Sequence, residues 1–202
     1  MFISSLLLNV SCVASPSLFG VTVKENRNVG TFSKIELDGA VEMHFTQSDT
    51  QNIVVEADSS IIHRVITEIQ GEKLIIKTQK ISLSQSLFKI NKTPKIIIFV
   101  SAPSVSNIEL SGASKFYADS LKIDGLLNIE ISGASTVSTG HIEANNFNLN
   151  ISGASDIESN LNIFDNVTID ISGASNAPLA VILGDRSAKG VAESRKWRQN
   201  KT

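Results

Sequence analysis

The tetrapeptide Ser-Gly-Ala-Ser occurs four times in this chain, at Ser111–Ser114, Ser132–Ser135, Ser152–Ser155 and Ser172–Ser175, with spacings of 21, 20 and 20 residues. Each copy closes an alternating run: Asn107-Ile-Glu-Leu110, Asn128-Ile-Glu-Ile131, Asn148-Leu-Asn-Ile151 and Thr168-Ile-Asp-Ile171. A fixed period of this size belongs to folds built by stacking one small unit, where each unit buries its apolar face against its neighbours.

The alternation predicts strands. Period two sends Ile108/Leu110, Ile129/Ile131, Leu149/Ile151 and Ile169/Ile171 inward, and Glu109, Glu130, Asn150 and Asp170 outward. After each turn a second apolar position follows (Phe116, Val137, Ile157, Ala177), and then a third side (Leu121/Ile123, Ile142/Ala144, Leu161/Ile163). Three short strands and three turns in about 20 residues describe one coil of a parallel β-helix, with coils stacked about 4.8 Å apart. The candidate structural turn residues are Ser111, Gly112, Ser114, Ser132, Gly133, Ser135, Ser152, Gly153, Ser155, Ser172, Gly173 and Ser175. Glycine there permits backbone angles closed to residues with a Cβ. A hydroxyl both donates and accepts, so stacked serines can serve each other and the turn amides. Catalytic serines are the competing reading. They need a paired base, and none of the three histidines, His44, His63 and His141, recurs with the repeat.

Upstream, Val21–Val100 reads as β with one short helical interruption. Phe32–Leu37 leads into the turn-like triplet Asp38-Gly39-Ala40, and Val41–Phe45 then alternates with Val41, Met43 and Phe45 on one face. Asn52–Ala57, Lys73–Thr78 and Lys95–Val100 are further strands, rich in β-branched residues. Ile62, Val65, Ile66 and Ile69 fall at helical spacing, so Ile61–Gln70 is expected to be a short helix ended by Gly71. Lys80–Thr93 is a polar loop.

The ends differ from the middle. Residues 1–20 read as a secretory or lipoprotein leader with a Leu6-Leu7-Leu8 centre, although the first basic residue is Lys24. Leu8-Asn9-Val10-Ser11-Cys12 resembles a bacterial lipoprotein cleavage site, which makes Cys12 a candidate for acylation. Cys12 is the single cysteine, so no intrachain disulfide forms. Residues 185–202 carry six basic and two acidic side chains, net +4 within a chain of net −2, and read as a basic, disordered tail. The overall balance points away from nucleic acid.

Phe32-Ser-Lys-Ile-Glu-Leu-Asp-Gly-Ala-Val-Glu-Met-His-Phe45, followed by Ile53-Val-Val-Glu-Ala-Asp58 and Gly71-Glu-Lys-Leu-Ile-Ile-Lys77, resembles the opening of the putative auto-transporter adhesin head GIN domain family. Ala102–Ser114 resembles that family's transition into Ser-Gly-Ala-Ser coils. The resemblance covers about residues 28–184. It implies a right-handed β-helical domain in exported bacterial proteins, located in the periplasm, the outer membrane or at the cell surface. It carries no catalytic residues across. After Ser175 the chain departs from the family pattern, as a truncated or frame-shifted end would.

The resulting expectation is an all-β protein: a right-handed parallel β-helix preceded by a β-rich segment with one short helix. Its expected role is a non-enzymatic surface module for a glycan or protein ligand, with self-association through the C-terminal coil. A polysaccharide-active enzyme and a structural envelope spacer are the alternatives. Against the enzyme, Asp119, Glu143, Asp156 and Glu158 form no aligned carboxylate pair. Aromatic platforms for sugar are sparse, with Tyr117 the only tyrosine and Trp197 in the tail. No metal-ligand spacing or cofactor motif is present.

Overall fold

The computed structural model describes residues 21–79 and 95–183. Cys12, the leader, the loop at 80–93 and the tail at 185–202 lie outside the described residues. The described chain is all-β apart from one 3-10 turn, Ile62–Arg64. The strands are β1 (Thr22–Asn26), β2 (Lys34–Gly39), β3 (Glu42–Gln47), β4 (Asn52–Asp58), β5 (Val65–Gln70), β6 (Lys73–Thr78), β7 (Ile97–Ala102), β8 (Asn107–Gly112), β9 (Lys115–Ile131), β10 (Thr136–Ile151), β11 (Asp156–Ile171) and β12 (Leu179–Leu183). They form one 12-stranded sheet. The sheet is mixed: β1/β4, β4/β7 and β5/β6 are antiparallel, and the other pairs are parallel.

Register explains how β9, β10 and β11 can be so long. Thr136 pairs with Lys115, so the chain returns to one strand spacing from where it stood 21 residues earlier. Straight strands could not do this. At about 3.3 Å per residue, 17 residues would span roughly 56 Å. Gly125, with φ +151°, stands at one bend of β9. There β9 carries one residue more than β10, because the register shifts between Ala144 and Asn146. That extra residue is the source of the 21-residue first spacing.

The segment before the repeats takes part in the same stack. Asp38 pairs with Ser111 and Gly39 with Gly112. Met43 pairs with Phe116 and His44 with Tyr117. The triplet Asp38-Gly39-Ala40 is therefore a rung of the turn ladder, in register with the four tetrapeptides. The antiparallel β5–β6 hairpin and the β1/β4 pair flank this first rung.

The expected helix at Ile61–Gln70 is not formed. Val65–Gln70 is a strand paired antiparallel with β6, and only Ile62–Arg64 is helical. The segment carries Val65, Ile66, Thr67 and Ile69, whose branched Cβ atoms suit a strand. Gly71, at φ +62°, makes the turn to a partner strand two residues away. Cross-strand pairing outweighs a helical spacing of only four residues. β1 falls inside the segment Val21–Val100 that reads as β.

Apolar columns fill the interior. Ile35, Ile108, Ile129 and Leu149 stack in register with at most 1% exposure, and Leu37, Leu110, Ile131 and Ile151 with at most 2%. Full burial of each such side chain contributes about 1.5–3 kcal/mol. At the last rung the columns surface: Ile169 is partly buried and Ile171 is 40% exposed. Among the described residues, Asn166–Ile171 pairs only with β10, because β12 covers only Ser159–Ile163. No helix of the described residues is long and apolar enough to cross a membrane.

Candidate functional site

Two outer surfaces collect the polar and aromatic side chains. The first is the ridge of turns. Gly112, Gly133, Gly153 and Gly173 have φ between +75° and +84°. The carbonyls of Gly39, Gly112, Gly133 and Gly153 accept from the alanine amide of the next turn, namely Ala113, Ala134, Ala154 and Ala174, all at 2.8 Å. These bonds place each turn so close to the next that no Cβ fits between them.

The serines work in two ways. The first of each turn donates to a strand carbonyl of the previous rung: Ser111 to Leu37 (3.3 Å), Ser132 to Leu110 (3.1 Å), Ser152 to Ile131 (3.5 Å) and Ser172 to Ile151 (3.2 Å). Ser111 also bonds Asp38 Oδ1 at 2.9 Å. The last serine folds under its own turn. Ser114 Oγ reaches Ser111 O (2.8 Å) and Gly39 O (3.0 Å), Ser155 Oγ reaches Ser152 O and Gly133 O, and Ser175 Oγ reaches Ser172 O and Gly153 O. Carbonyls, rather than neighbouring hydroxyls, take these protons. Ser135 stands apart: it is buried, and its hydroxyl has no partner.

The second surface is the outer wall formed by β7, β3, β9, β10 and β11. Here Phe99, His44 and Tyr117 are register neighbours. Their rings stack, with centroids 5.5 Å apart for His44–Phe99 and 5.1 Å for His44–Tyr117, and interplanar angles of 26° and 23°. Lys24 Nζ lies 5.3 Å from the Phe99 ring centre, within cation–π range. His44 Nε2 is 2.9 Å from Glu42 Oε1, and Lys95 Nζ is 3.1 Å from the same oxygen. Burial pushes the Glu42 carboxyl up, but the hydrogen bonds from His44 and Lys95 outweigh it and hold it below the usual carboxylate range.

Next to this aromatic column the wall drops. Ser138 pairs with Tyr117 on one side and Glu158 on the other. An open cavity of about 480 Å³ lies there, lined by Ser138, Gly140, Glu158, Asn160, Pro178 and Leu179 among others. A register shift between Ser138 and His141 marks a bulge at this point. Bulges often re-aim side chains beside functional sites.

On the other side of the turn ridge, Glu36, Glu109, Glu130, Asn150 and Asp170 follow one another in register. Lys73 Nζ bridges Glu36 (3.1 Å) and Glu109 (2.7 Å), and the bond to Glu109 raises the lysine pKa. Among the described residues, no group of three or more His, Cys, Asp or Glu is placed to hold a metal ion.

Of the side chains weighed as chemistry, Asp156 and Glu158 fall on the outer wall, Asp119 is exposed, and Glu143 pairs with Lys122 at 3.0 Å. The aromatic column was missed. Its signal was present in part: superposing Asp38-Gly39-Ala40 on Ser111-Gly112-Ala113 sets His44 beside Tyr117. Nothing local points to Phe99, which joins through the β3/β7 pairing.

A family model described as Putative auto-transporter adhesin, head GIN domain matches residues 31–182. No curated protein matches the chain. Solved structures share the fold. A putative adhesin from Bacteroides fragilis is 13% identical, with 79% of this chain and 97% of that chain covered and a TM-score of 0.51. One from Parabacteroides merdae is 15% identical, with 80% and 78% covered and a TM-score of 0.51. One from Parabacteroides distasonis is 16% identical, with 79% and 82% covered and a TM-score of 0.50.

Proposed function

Because the chain belongs to the Putative auto-transporter adhesin, head GIN domain family, we propose that it is a non-enzymatic, exported module of a bacterial cell envelope that binds a surface ligand. In this reading residues 1–20 are a secretory or lipoprotein leader, with Cys12 the acylation site in the lipoprotein case, residues 28–184 form the binding domain and residues 185–202 a basic tail. The repeat coils wind as a right-handed parallel β-helix, and the twelve Ser and Gly turn positions are structural.

The observation that carries the binding role is the outer wall, where Phe99, His44 and Tyr117 stack in register beside an open cavity. Three aromatic or imidazole rings held on a rigid sheet face serve recognition at little conformational cost. The turn serines favour a structural role, since all of their hydroxyls but that of Ser135 are spent on backbone carbonyls and none is paired with a histidine. A glycan array probed with the purified full chain tests the reading. Reproducible, saturable binding is expected, and a chain that retains no glycan and no isolated envelope protein would overturn it.

A further inference from the structure

Deepening that reading, and resting on it, we propose that the slot over Ser138 between Tyr117 and Glu158 binds one pyranose ring of a glycan. The outer column runs Phe99, His44, Tyr117, Ser138, Glu158 in consecutive register. The first three positions carry rings, each stacked on the next. Ser138 interrupts them with a two-atom side chain. Tyr117 therefore has His44 against one face and, toward β10, only the small serine beside the other.

The dimensions fit one ring. β9 and β11 are two strand spacings apart, about 9.6 Å. A ring in van der Waals contact with Tyr117 sits about 3.5–4 Å from it, which places it above Ser138. The cavity opens from Ser138 over Glu158 and Asn160 to Leu179, and Tyr117 stands one strand outside it, on the far side of Ser138.

The chemistry of the walls selects the class of ligand. The Tyr117 face is electron-rich and apolar, so it takes the C–H face of a sugar. Across the slot stand acceptors: the Glu158 carboxylate and the Asn160 amide oxygen. Asn160 already spends its Nδ2 on Gly140 O at 2.9 Å, which fixes the amide in place. Hydroxyl donors on a pyranose rim meet these acceptors, and Ser138 adds a hydroxyl at the floor. Pro178 and Leu179 give the far edge an apolar border for a second residue of the glycan.

Saturation-transfer NMR on the full chain tests this with methyl β-D-glucopyranoside, methyl β-D-galactopyranoside and methyl α-D-mannopyranoside. At least one is expected to receive saturation on its ring C–H protons. Tyr117→Ala should cut that signal at least fivefold, and Tyr117→Phe should keep it. Ser138→Phe, which extends the ring column into the slot and leaves both walls intact, should also cut it at least fivefold, with the circular dichroism spectrum unchanged. Absence of transfer to any pyranoside, or transfer that persists in Ser138→Phe, would overturn the slot. So would binding of tetramethylammonium in place of the sugars. A glycan-array signal that survives both Tyr117→Ala and Ser138→Phe overturns the slot alone and leaves the surface-binding role standing.

Discussion

A Cβ placed on Gly153 would lie 2.5 Å from the carbonyl oxygen of Gly133 in the turn of the preceding rung. The same oxygen accepts the Ala154 amide at 2.8 Å, so it cannot retreat without breaking the ladder. Gly153 is therefore required twice, by its φ of +84° and by the approach of the preceding turn. Gly153→Val is expected to destabilise the chain by at least about 2 kcal/mol, above the strain of positive φ alone. Chemical denaturation checks this. A urea midpoint equal to wild type would mean that the turns can separate freely.

Ser135 and Ser155 occupy equivalent places but not equivalent networks. Ser155 Oγ donates to Ser152 O at 3.2 Å and receives the Ser135 amide at 3.4 Å, whereas the Ser135 hydroxyl has no partner. Ser155→Ala should cost about 1 kcal/mol. Ser135→Ala should be neutral or slightly stabilising, because it removes an unsatisfied buried hydroxyl. Equal losses in the two variants would show that the serines act alike.

Glu42 and Lys73 contribute at opposite ends of the pH profile. Glu42 is held below the usual carboxylate range, so its contribution is present above about pH 4.3 and is lost as pH falls through its lowered value. Lys73 is raised, chiefly by Glu109, so its contribution is present below about pH 10.4 and is lost as pH climbs through the raised value. Glu42→Gln should flatten the acid limb of stability and leave the alkaline limb. Lys73→Met should flatten the alkaline limb. Urea midpoints between pH 3 and pH 11 read both, and an unchanged acid limb in Glu42→Gln would refute the first assignment.

The column Ile131, Ile151, Ile171 goes from 2% and 0% to 40% exposure at the final rung. The unpaired edge of Asn166–Ile171 lies beside it among the described residues. An apolar rung with free strand groups invites another strand. The expected outcome is concentration-dependent mass in sedimentation equilibrium, weakened by Ile171→Lys. Val181 would be the wrong place for that charge, since it is inward and 6% exposed. A strictly monomeric wild type over a hundredfold range of concentration would overturn the expectation.

Much of the fold was legible because the signals are local. Alternation sends Ile129 and Ile131 inward within one strand, and glycine at positive φ is a property of one residue. The inward columns were readable down to Phe116, Val137 and Ile157, all fully buried. Ile61–Gln70 was misread for the same reason, since four apolar residues at helical spacing say nothing about the β6 partner that captures them.

What the sequence determined by itself is the period, the inward face and the place of the turns. Only the tertiary structure decided which outward side chains meet. Phe99, His44 and Tyr117 come from three separate strands and stack because β7, β3 and β9 settle in one register. The missing partner of Ser135 and the gap over Ser138 are likewise set between rungs. Strand register is a sum over many pairings along the whole wall, and no short stretch of chain contains that sum.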